Sequence, residues 1–170
     1  MKTSKGQAVV MDFAFALGLF IILFTFISAE FTQQVNTSER KSTFDSLRVK
    51  ADFVMETLVK STGSPQNWET LSLNDVEYFG LAASDRDLSD AKLTSFQNNT
   101  TSEPDYLITK QKLGLEGYDY YFVLEDAGIQ SGLEVPVGTD ATQVVVERIV
   151  TYQGGAYHAR LTVYKTENFN

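Results

Sequence analysis

The chain has 170 residues, 22 acidic and 14 basic side chains, a formal net charge of −8 and no cysteine. Residues 1–29 carry a net charge of +1 and residues 30–170 carry −9. This balance argues against nucleic-acid binding, which needs clustered Lys and Arg, and against lying on an anionic lipid surface. The absence of cysteine excludes disulfides, thiolate metal sites and cysteine nucleophiles, and the single histidine, His158, excludes any site that needs two.

A nearly unbroken apolar run extends from Ala8 to Ala29. As a helix it would be about 33 Å long, and the hydrocarbon core of a bilayer is about 30 Å thick. Large apolar side chains fall on every side of such a helix, so the run must lie in lipid or inside a protein bundle. Because Lys2 and Lys5 precede it and Glu30 follows, the sequence predicts a cytoplasmic N-terminus and an outer location for the rest of the chain.

One acid, Asp12, lies near the start of the apolar run. A charged carboxylate at mid-membrane costs about 2.5–3.5 kcal/mol, and less near the edge. Asp12 is therefore interpreted either as an interfacial acid that reaches water or as a partner for a positive group. Cutting the chain after Gly6 would free an α-amino group that could play this role from a neighbouring subunit. Such a buried pair would set the register between subunits more than it would stabilise them.

The segment Lys5-Gly6-Gln7, followed directly by the apolar helix, resembles the class III signal peptides of archaeal type IV pilins and related pilin-like proteins. The resemblance implies that a membrane-embedded prepilin peptidase of the aspartic type cuts after Gly6, so that the mature chain starts at Gln7. Asp12 then becomes the sixth mature residue, one beyond the position usual in the family. Val9 stands where the family often has a serine.

The function implied by this resemblance is that of a structural subunit, major or minor, of an extracellular filament. The chain would divide into a leader at 1–6, a transmembrane and filament-core helix at 7–30, and an extracytoplasmic domain at 31–170. Its partners would be copies of itself or other pilins, the prepilin peptidase and the membrane, and we expect neither enzymatic activity nor a cofactor. The side chains expected to pack in the filament core are Phe13, Phe15, Leu17, Phe20, Ile22, Phe24 and Ile27.

Two rival interpretations use the same residues. An ordinary secretory signal could end at Ile27-Ser28-Ala29, because small residues precede such cleavage sites, although its apolar core is normally about 7–15 residues. The segment could also remain uncleaved as a permanent anchor. The alternative function is then that of a single-pass, membrane-anchored binding or adhesion domain that does not polymerise.

Beyond the apolar run, residues 31–60 contain no Gly or Pro and are predicted to continue the helix. Gly63 is placed to cap its C-terminus and Pro65 bars its continuation. One helix face carries apolar residues at spacings of three and four, which predicts that this face packs on a partner. These residues are Phe44, Leu47, Ala51, Val54 and Leu58.

The residues that follow include a tract that resembles a segment recurring in archaeal pilin-like and other membrane-anchored secreted proteins, for which the resemblance implies no activity. It comprises Gly63 to Trp68, Gly80-Leu81-Ala82 and Lys92-Leu93. Trp68 is expected to fill the core beneath the loop. Residues 88–93 are predicted to form a short helix capped by Ser89 or Asp87.

Asparagine residues in three places fit the N-glycosylation sequon. Asn98 and Asn99 begin two overlapping sequons in a stretch, Gln97–Pro104, that is predicted to be a polar loop, and Asn36 begins a third. A glycan there would be a solvating surface feature and not a catalytic one.

The C-terminal third is rich in Val, Ile, Thr and Tyr, which favour strands. We predict a hairpin of residues 144–152 and 157–165 with Gly154-Gly155 as its turn, so that Tyr152 faces Tyr157 and Val150 faces Ala159. Residues 120–124 are predicted as a third strand, and Tyr106–Lys110 as a weaker fourth. The sequence therefore predicts an α+β fold in which the outer half of a long N-terminal helix packs on an antiparallel sheet, as in pilins.

Overall fold

The computed structural model describes the backbone of residues 4–138 and 141–166, with side chains at 10, 11, 13–30, 44–138 and 141–165. The chain divides into two compact units, residues 1–43 and 44–170. In these residues the helices are α1 (Ser4–Lys60), α2 (Asp90–Asn98) and α3 (Glu103–Lys112), with short 3₁₀ helices at Trp68–Thr70 and Leu73–Asp75. The strands are β1 (Ala82–Ser84), β2 (Asp87–Leu88), β3 (Asp119–Leu124), β4 (Ile129–Gly132), β5 (Ala141–Tyr152) and β6 (Gly155–Thr166).

The second unit is built on a mixed six-stranded sheet with the strand order β1-β2-β5-β6-β3-β4. All neighbours pair antiparallel except β2 and β5, which are parallel and meet only at Asp87 and Thr151. The α+β class is thus confirmed, with one parallel contact that the sequence did not predict.

The β5–β6 hairpin is confirmed, but its predicted register is wrong by two residues. Tyr152 pairs with Gly155 and Val150 pairs with Tyr157, because the two-residue turn is Gln153-Gly154, with φ of +49° and +78°. Both turn residues thus have the positive φ that a type I′ hairpin turn requires. Since strand side chains alternate with a period of two, a slip of two residues leaves every side chain on its predicted face.

The core lies between one face of this sheet and the C-terminal part of α1. The predicted helical stripe is confirmed at Leu47, Ala51, Val54 and Leu58, all of which are buried, whereas Phe44 is 42% exposed. The same cluster contains two helix residues that the predicted stripe omitted, together with side chains of the three longest strands. These are Met55, Val59, Tyr120, Phe122, Leu124, Val144, Val146, Val150, Ala159, Leu161 and Val163.

Residues 106–110 form no strand, contrary to the prediction, because they lie in α3. Ser102 is the N-cap, and its Oγ accepts a hydrogen bond from the Asp105 amide at 3.4 Å. Pro104 sits in the first turn, where a missing N–H costs nothing. Two acids in the first turn and Lys110 and Lys112 in the last complement the helix dipole. The N-cap, the proline and the charged end turns favour a helix more strongly than the β-forming side chains of the segment favour a strand.

The predicted short helix is confirmed as α2, with Ser89 as its N-cap residue. It continues to Asn98, so the predicted polar loop shrinks to the residues between α2 and α3. Residues 120–124 form most of β3, as predicted, and pair with β6. The third-strand prediction is therefore confirmed, while β4, which pairs with β3 on its other side, was not predicted.

Candidate membrane and assembly segment

The N-terminal part of α1 includes one stretch that is long and apolar enough to cross a membrane. It spans Phe13–Glu30, has a mean hydropathy of 2.2 and has none of its residues buried. A signal sequence near an N-terminus meets the same test of length and composition. Phe13–Glu30 is therefore a candidate membrane span, by length and composition.

The seven side chains predicted to pack in a filament core are all exposed, with between 47% and 78% of each accessible. Thr25 interrupts the apolar surface, and its hydroxyl donates to the Ile21 carbonyl at 2.7 Å. Because this bond satisfies the hydroxyl within the helix, the hydroxyl would not be left without a hydrogen-bond partner in an apolar environment, which would cost free energy. Phe20 and Phe24 stack with ring centroids 6.1 Å apart. The segment thus presents a largely apolar surface, and the Thr25 hydroxyl is satisfied within the helix.

The predicted cleavage and register residues lie in the same helix. Gly6, Gln7 and Asp12 have helical backbone within α1, as does the sequon residue Asn36. The side chains of Gln7, Asp12 and Asn36 lie outside the described part of the structure. The cleavage, the pairing of Asp12 and the use of Asn36 therefore stay predictions.

The end of α1 is held by the tract singled out in the sequence. The amides of Leu81, Ala82 and Arg86 donate to the carbonyls of Leu58, Ser61 and Val59 at 2.8, 3.1 and 3.0 Å. A helix leaves its last four carbonyls without intrahelical partners. Here the loop that returns past the helix end supplies backbone donors for two of them, Leu58 and Val59, and for Ser61 just beyond the helix.

Trp68 anchors this tract, as predicted, and is 1% exposed. Its indole Nε1 donates to the Gly80 carbonyl at 2.9 Å, and its ring meets Phe79 edge-on at 4.9 Å. A Cβ on Gly63 would lie 2.4 Å from the indole, and one on Gly80 would lie 2.2 Å from the Ser61 carbonyl oxygen. Both glycines are therefore required by close approach, and Gly63 also has a φ of +82°.

Lys92 completes the tract from α2. Only 5% of it is exposed, and its Nζ donates to the carbonyls of Thr62 and of Gln66, the latter at 2.8 Å. It lines a cavity of about 570 Å³ together with Glu69 and Ser89. Burial lowers the pKa of Lys92, and the charge of Glu69 opposes this effect. The ammonium group thus holds together two carbonyls of the segment that follows α1.

Arg148 is the one charged residue on the core-facing side of β5, and it ties the sheet to α1. Its Nε bonds Glu56 at 2.7 Å and its second terminal nitrogen bonds Asp52 at 3.1 Å. Lys60 also pairs with Glu56. These two cations, Lys60 first, lower the pKa of Glu56 to about 2. The sequence alone did not indicate which acids Arg148 would meet.

A second cavity, of about 600 Å³, is mostly apolar and lies beside the last turns of α1. Phe53, Tyr78 and Leu113 line it, with Lys60 and Lys112 at its polar side. Lys112 donates to the carbonyls of Asn74 and Val76. Its ammonium is therefore engaged in structural contacts.

The two predicted loop sequons lie at the end of α2. Asn98 is its last residue and is exposed, while Asn99 is the C-cap residue and is partly exposed. Thr100 Oγ1 donates to the Gln97 carbonyl at 2.9 Å, and Thr101 Oγ1 donates to the Asn98 carbonyl at 2.8 Å. Of the two asparagine side chains, that of Asn98 is the better placed to carry a glycan.

Within residues whose side chains are described, no group of three or more His, Asp or Glu is arranged to hold a metal ion. His158 is exposed on the outer sheet face, paired with Ile149 across the hairpin. No protein-family model, curated protein or solved structure matches the chain. Functional assignment therefore rests on the residues themselves.

Proposed function

We propose that the chain is a structural subunit of an extracellular, type IV pilus-like filament. The observation that carries the proposal is the exposed apolar surface of Phe13–Glu30, none of which is buried within the chain. Such a surface needs lipid or other apolar helices as its environment. A filament core made of many copies of this helix would supply that environment after the segment leaves the bilayer.

The leader explains how the helix would pass from membrane to filament. A prepilin peptidase would cut between Gly6 and Gln7, and the new α-amino group would pair with Asp12 of a neighbouring subunit. Desolvated amine and carboxylate groups are costly to leave unpaired, so the pair would favour one axial register over others. Residues 31–170, outside the membrane, would form the filament surface, and Asn36, Asn98 and Asn99 would be available to glycosylation there.

The mass of the native N-terminal peptide tests the proposal most directly. Protein purified from the source cells should begin at Gln7 and should be recovered in sheared surface fibres. An intact Met1 or Lys2 on a monomeric membrane protein would support the alternative, a permanently anchored binding or adhesion domain. A start after Ala29 would indicate ordinary secretion.

A matched pair of glycine variants separates peptidase recognition from general damage to the helix. Gly6→Val should block processing, because the peptidase accepts a small residue before the cut. Gly18→Val should leave processing unchanged, since nothing lies within 4 Å of the Cβ that it would add. Normal processing of the Gly6 variant would contradict the proposed cleavage.

Asp12→Ala tests the register pair separately from cleavage. We expect the variant to insert into the membrane at least as well as the wild type, because a buried carboxylate is removed, but to form few or no fibres. Asp45→Ala, which removes an exposed acid further along α1, serves as the control. Unchanged fibres in the Asp12 variant would eliminate the pairing.

A further inference from the structure

The two overlapping sequons at the end of α2 each depend on two side chains. A sequon is defined by an asparagine and by the hydroxyl two residues later, so a transferase that selects sequons has to reach both groups. Asn98 belongs with Thr100, and Asn99 belongs with Thr101. The accessibility of these two pairs therefore decides whether the folded chain can be modified.

In the first sequon the asparagine is accessible but the hydroxyl is not. Asn98 is exposed, whereas Thr100 is only partly exposed. The Thr100 Oγ1 donates to the Gln97 carbonyl at 2.9 Å and lies 3.3 Å from the Oγ of Ser131 in β4. Ser131 is itself 2% exposed. The hydroxyl that marks this sequon is thus turned toward the sheet.

In the second sequon the arrangement is reversed. Thr101 is exposed, and its Oγ1 donates to the Asn98 carbonyl at 2.8 Å. Asn99, the C-cap residue of α2, is only partly exposed. Its amide donates to the Ser95 carbonyl at 3.0 Å, and its carbonyl accepts from Thr109 Oγ1 at 3.3 Å. Neither sequon therefore presents both of its groups fully to solvent.

The backbone of the sequons is held in this curled form from both sides. The amides of Thr100 and Thr101 close consecutive turns. Ser131 Oγ donates to the Phe96 carbonyl at 3.2 Å, and Thr109, which is 0% exposed, binds the carbonyl of the C-cap residue. Extending the sequons would detach the last turn of α2 from β4 and α3. Such local unfolding costs free energy, so the extended form is rare in the folded chain.

We propose that Asn98 is N-glycosylated and that the transfer takes place before the end of α2 packs on β4. The proposal rests on the outer location of residues 31–170 that the proposed function assumes. Asn98 is the asparagine modified, because it is exposed after folding and the fold accommodates a glycan there. Asn99 is the poorer site, since its backbone is bonded to α2 and α3.

The sugar donor is a saccharide esterified to a lipid phosphate. The side-chain nitrogen of Asn98 forms a bond to the anomeric carbon of the sugar, while the bond from that carbon to the phosphate oxygen breaks. The nitrogen loses one proton, and the lipid phosphate leaves. The step needs no oxidant or reductant.

The timing is tested with the unmodified full chain, made in cells that lack the transferase and folded in detergent. A synthetic peptide of residues 94–105 provides the same sequons without the fold. Detergent-treated membranes of the source cells supply the transferase and the lipid-linked sugar. The peptide should be modified many-fold faster than residues 94–105 of the folded chain. Equal rates would overturn the timing, and an unmodified peptide would overturn the proposed modification.

Two threonine variants of the peptide show which asparagine reacts. Thr101→Val leaves only the sequon of Asn98, and Thr100→Val leaves only that of Asn99. Modification of the Thr101→Val peptide is expected. A Thr101→Val peptide that stays unmodified while the Thr100→Val peptide reacts would overturn the choice of Asn98.

Mass spectrometry of the native protein provides the second readout. The peptide that contains Asn98 should carry a saccharide on that residue. A bare Asn98 in protein that begins at Gln7 would refute the glycosylation and leave the filament proposal standing. A glycan on Asn98 of a monomeric protein with an intact N-terminus would have the opposite meaning.

Discussion

Lys92 is a buried cation whose hydrogen-bond partners are backbone carbonyls. Thr62 and Gln66 supply them, both from the segment that follows α1. The sequence marked Lys92 as part of a recurring tract but did not reveal this role, because the contact joins residues 26 and 30 positions apart. Periodicity and propensity report local structure, and they cannot identify a side chain that crosses between two elements.

We predict that Lys92→Met lowers the free energy of unfolding by about 1 kcal/mol, because two part-buried carbonyls lose their donor. Urea unfolding in detergent, followed by the fluorescence of Trp68, the chain's one tryptophan, measures the change. Lys165→Met, at an exposed position of β6, should change stability by less than about 0.5 kcal/mol. Equal stabilities of the two variants would refute a stabilising role of the Lys92 ammonium.

Glu56 makes the stability of the second unit depend on pH. Its pKa is about 2 in the folded chain, against an ordinary value of 4.5. A depressed folded pKa stabilises the fold fully above pH 4.5, and the contribution disappears as pH falls through the interval from 4.5 to 2. Because a third of the side chain is exposed, solvent screening reduces the contribution to about 1 kcal/mol.

The test compares the wild type with Glu56→Gln across this pH interval. The variant should be about 1 kcal/mol less stable at pH 7, and the difference should shrink toward zero near pH 2. Taking the difference cancels the other titrating groups that both proteins share. A difference that stays constant from pH 7 to 2 would show that the ion pairs with Lys60 and Arg148 contribute nothing.

At the scale of elements, the hairpin and α3 show what local sequence can and cannot predict. The β5–β6 pair was predictable, because Val, Ile and Tyr recur on alternate positions around a glycine-containing turn. Its register was not, because two neighbouring dipeptides can each form the turn and Gln153 adopts a positive φ. Within α3, residues Tyr106–Lys110 have strand-forming side chains. Only the residues at the two ends of α3 distinguish it, as a helix, from a strand.

We predict that Ser102→Ala destabilises the chain by about 1 kcal/mol, because the Asp105 amide loses its cap. Ser89→Ala is a matched control, since Ser89 is the N-cap residue of α2 but makes no side-chain capping bond. Ser89→Ala should therefore destabilise the chain clearly less than Ser102→Ala does. Thermal unfolding by circular dichroism distinguishes the variants, and equal losses would mean that the Ser102 hydroxyl does not cap α3.

For the whole molecule, the division into two units indicates what can fold alone. Every buried hydrophobic side chain of the described residues lies between Leu47 and Tyr164, within the second unit. The candidate span contributes nothing to this core. The sequence predicted both the apolar run and the packing face of α1, because the first is almost continuously apolar and the second recurs at spacings of three and four.

We predict that a chain beginning at Phe44 folds cooperatively and without detergent, because it retains the entire described core. A chain beginning at Ser61 should not fold, since it lacks the six buried side chains of α1 between Leu47 and Val59. Trp68 fluorescence and calorimetry would measure both. A Phe44 chain that unfolds without a cooperative transition would show that the first unit is needed for folding.

The anchored end of α1 has a mechanical consequence. Backbone donors from Leu81 and Arg86 hold two carbonyls of the last helical turn, and Ala82 and Lys92 hold carbonyls of the segment that follows it. Tension along α1 would be carried by these bonds and by the buried side chains of the helix between Leu47 and Val59. The C-terminal part of α1 is therefore the place where traction on the helix would enter the folded body.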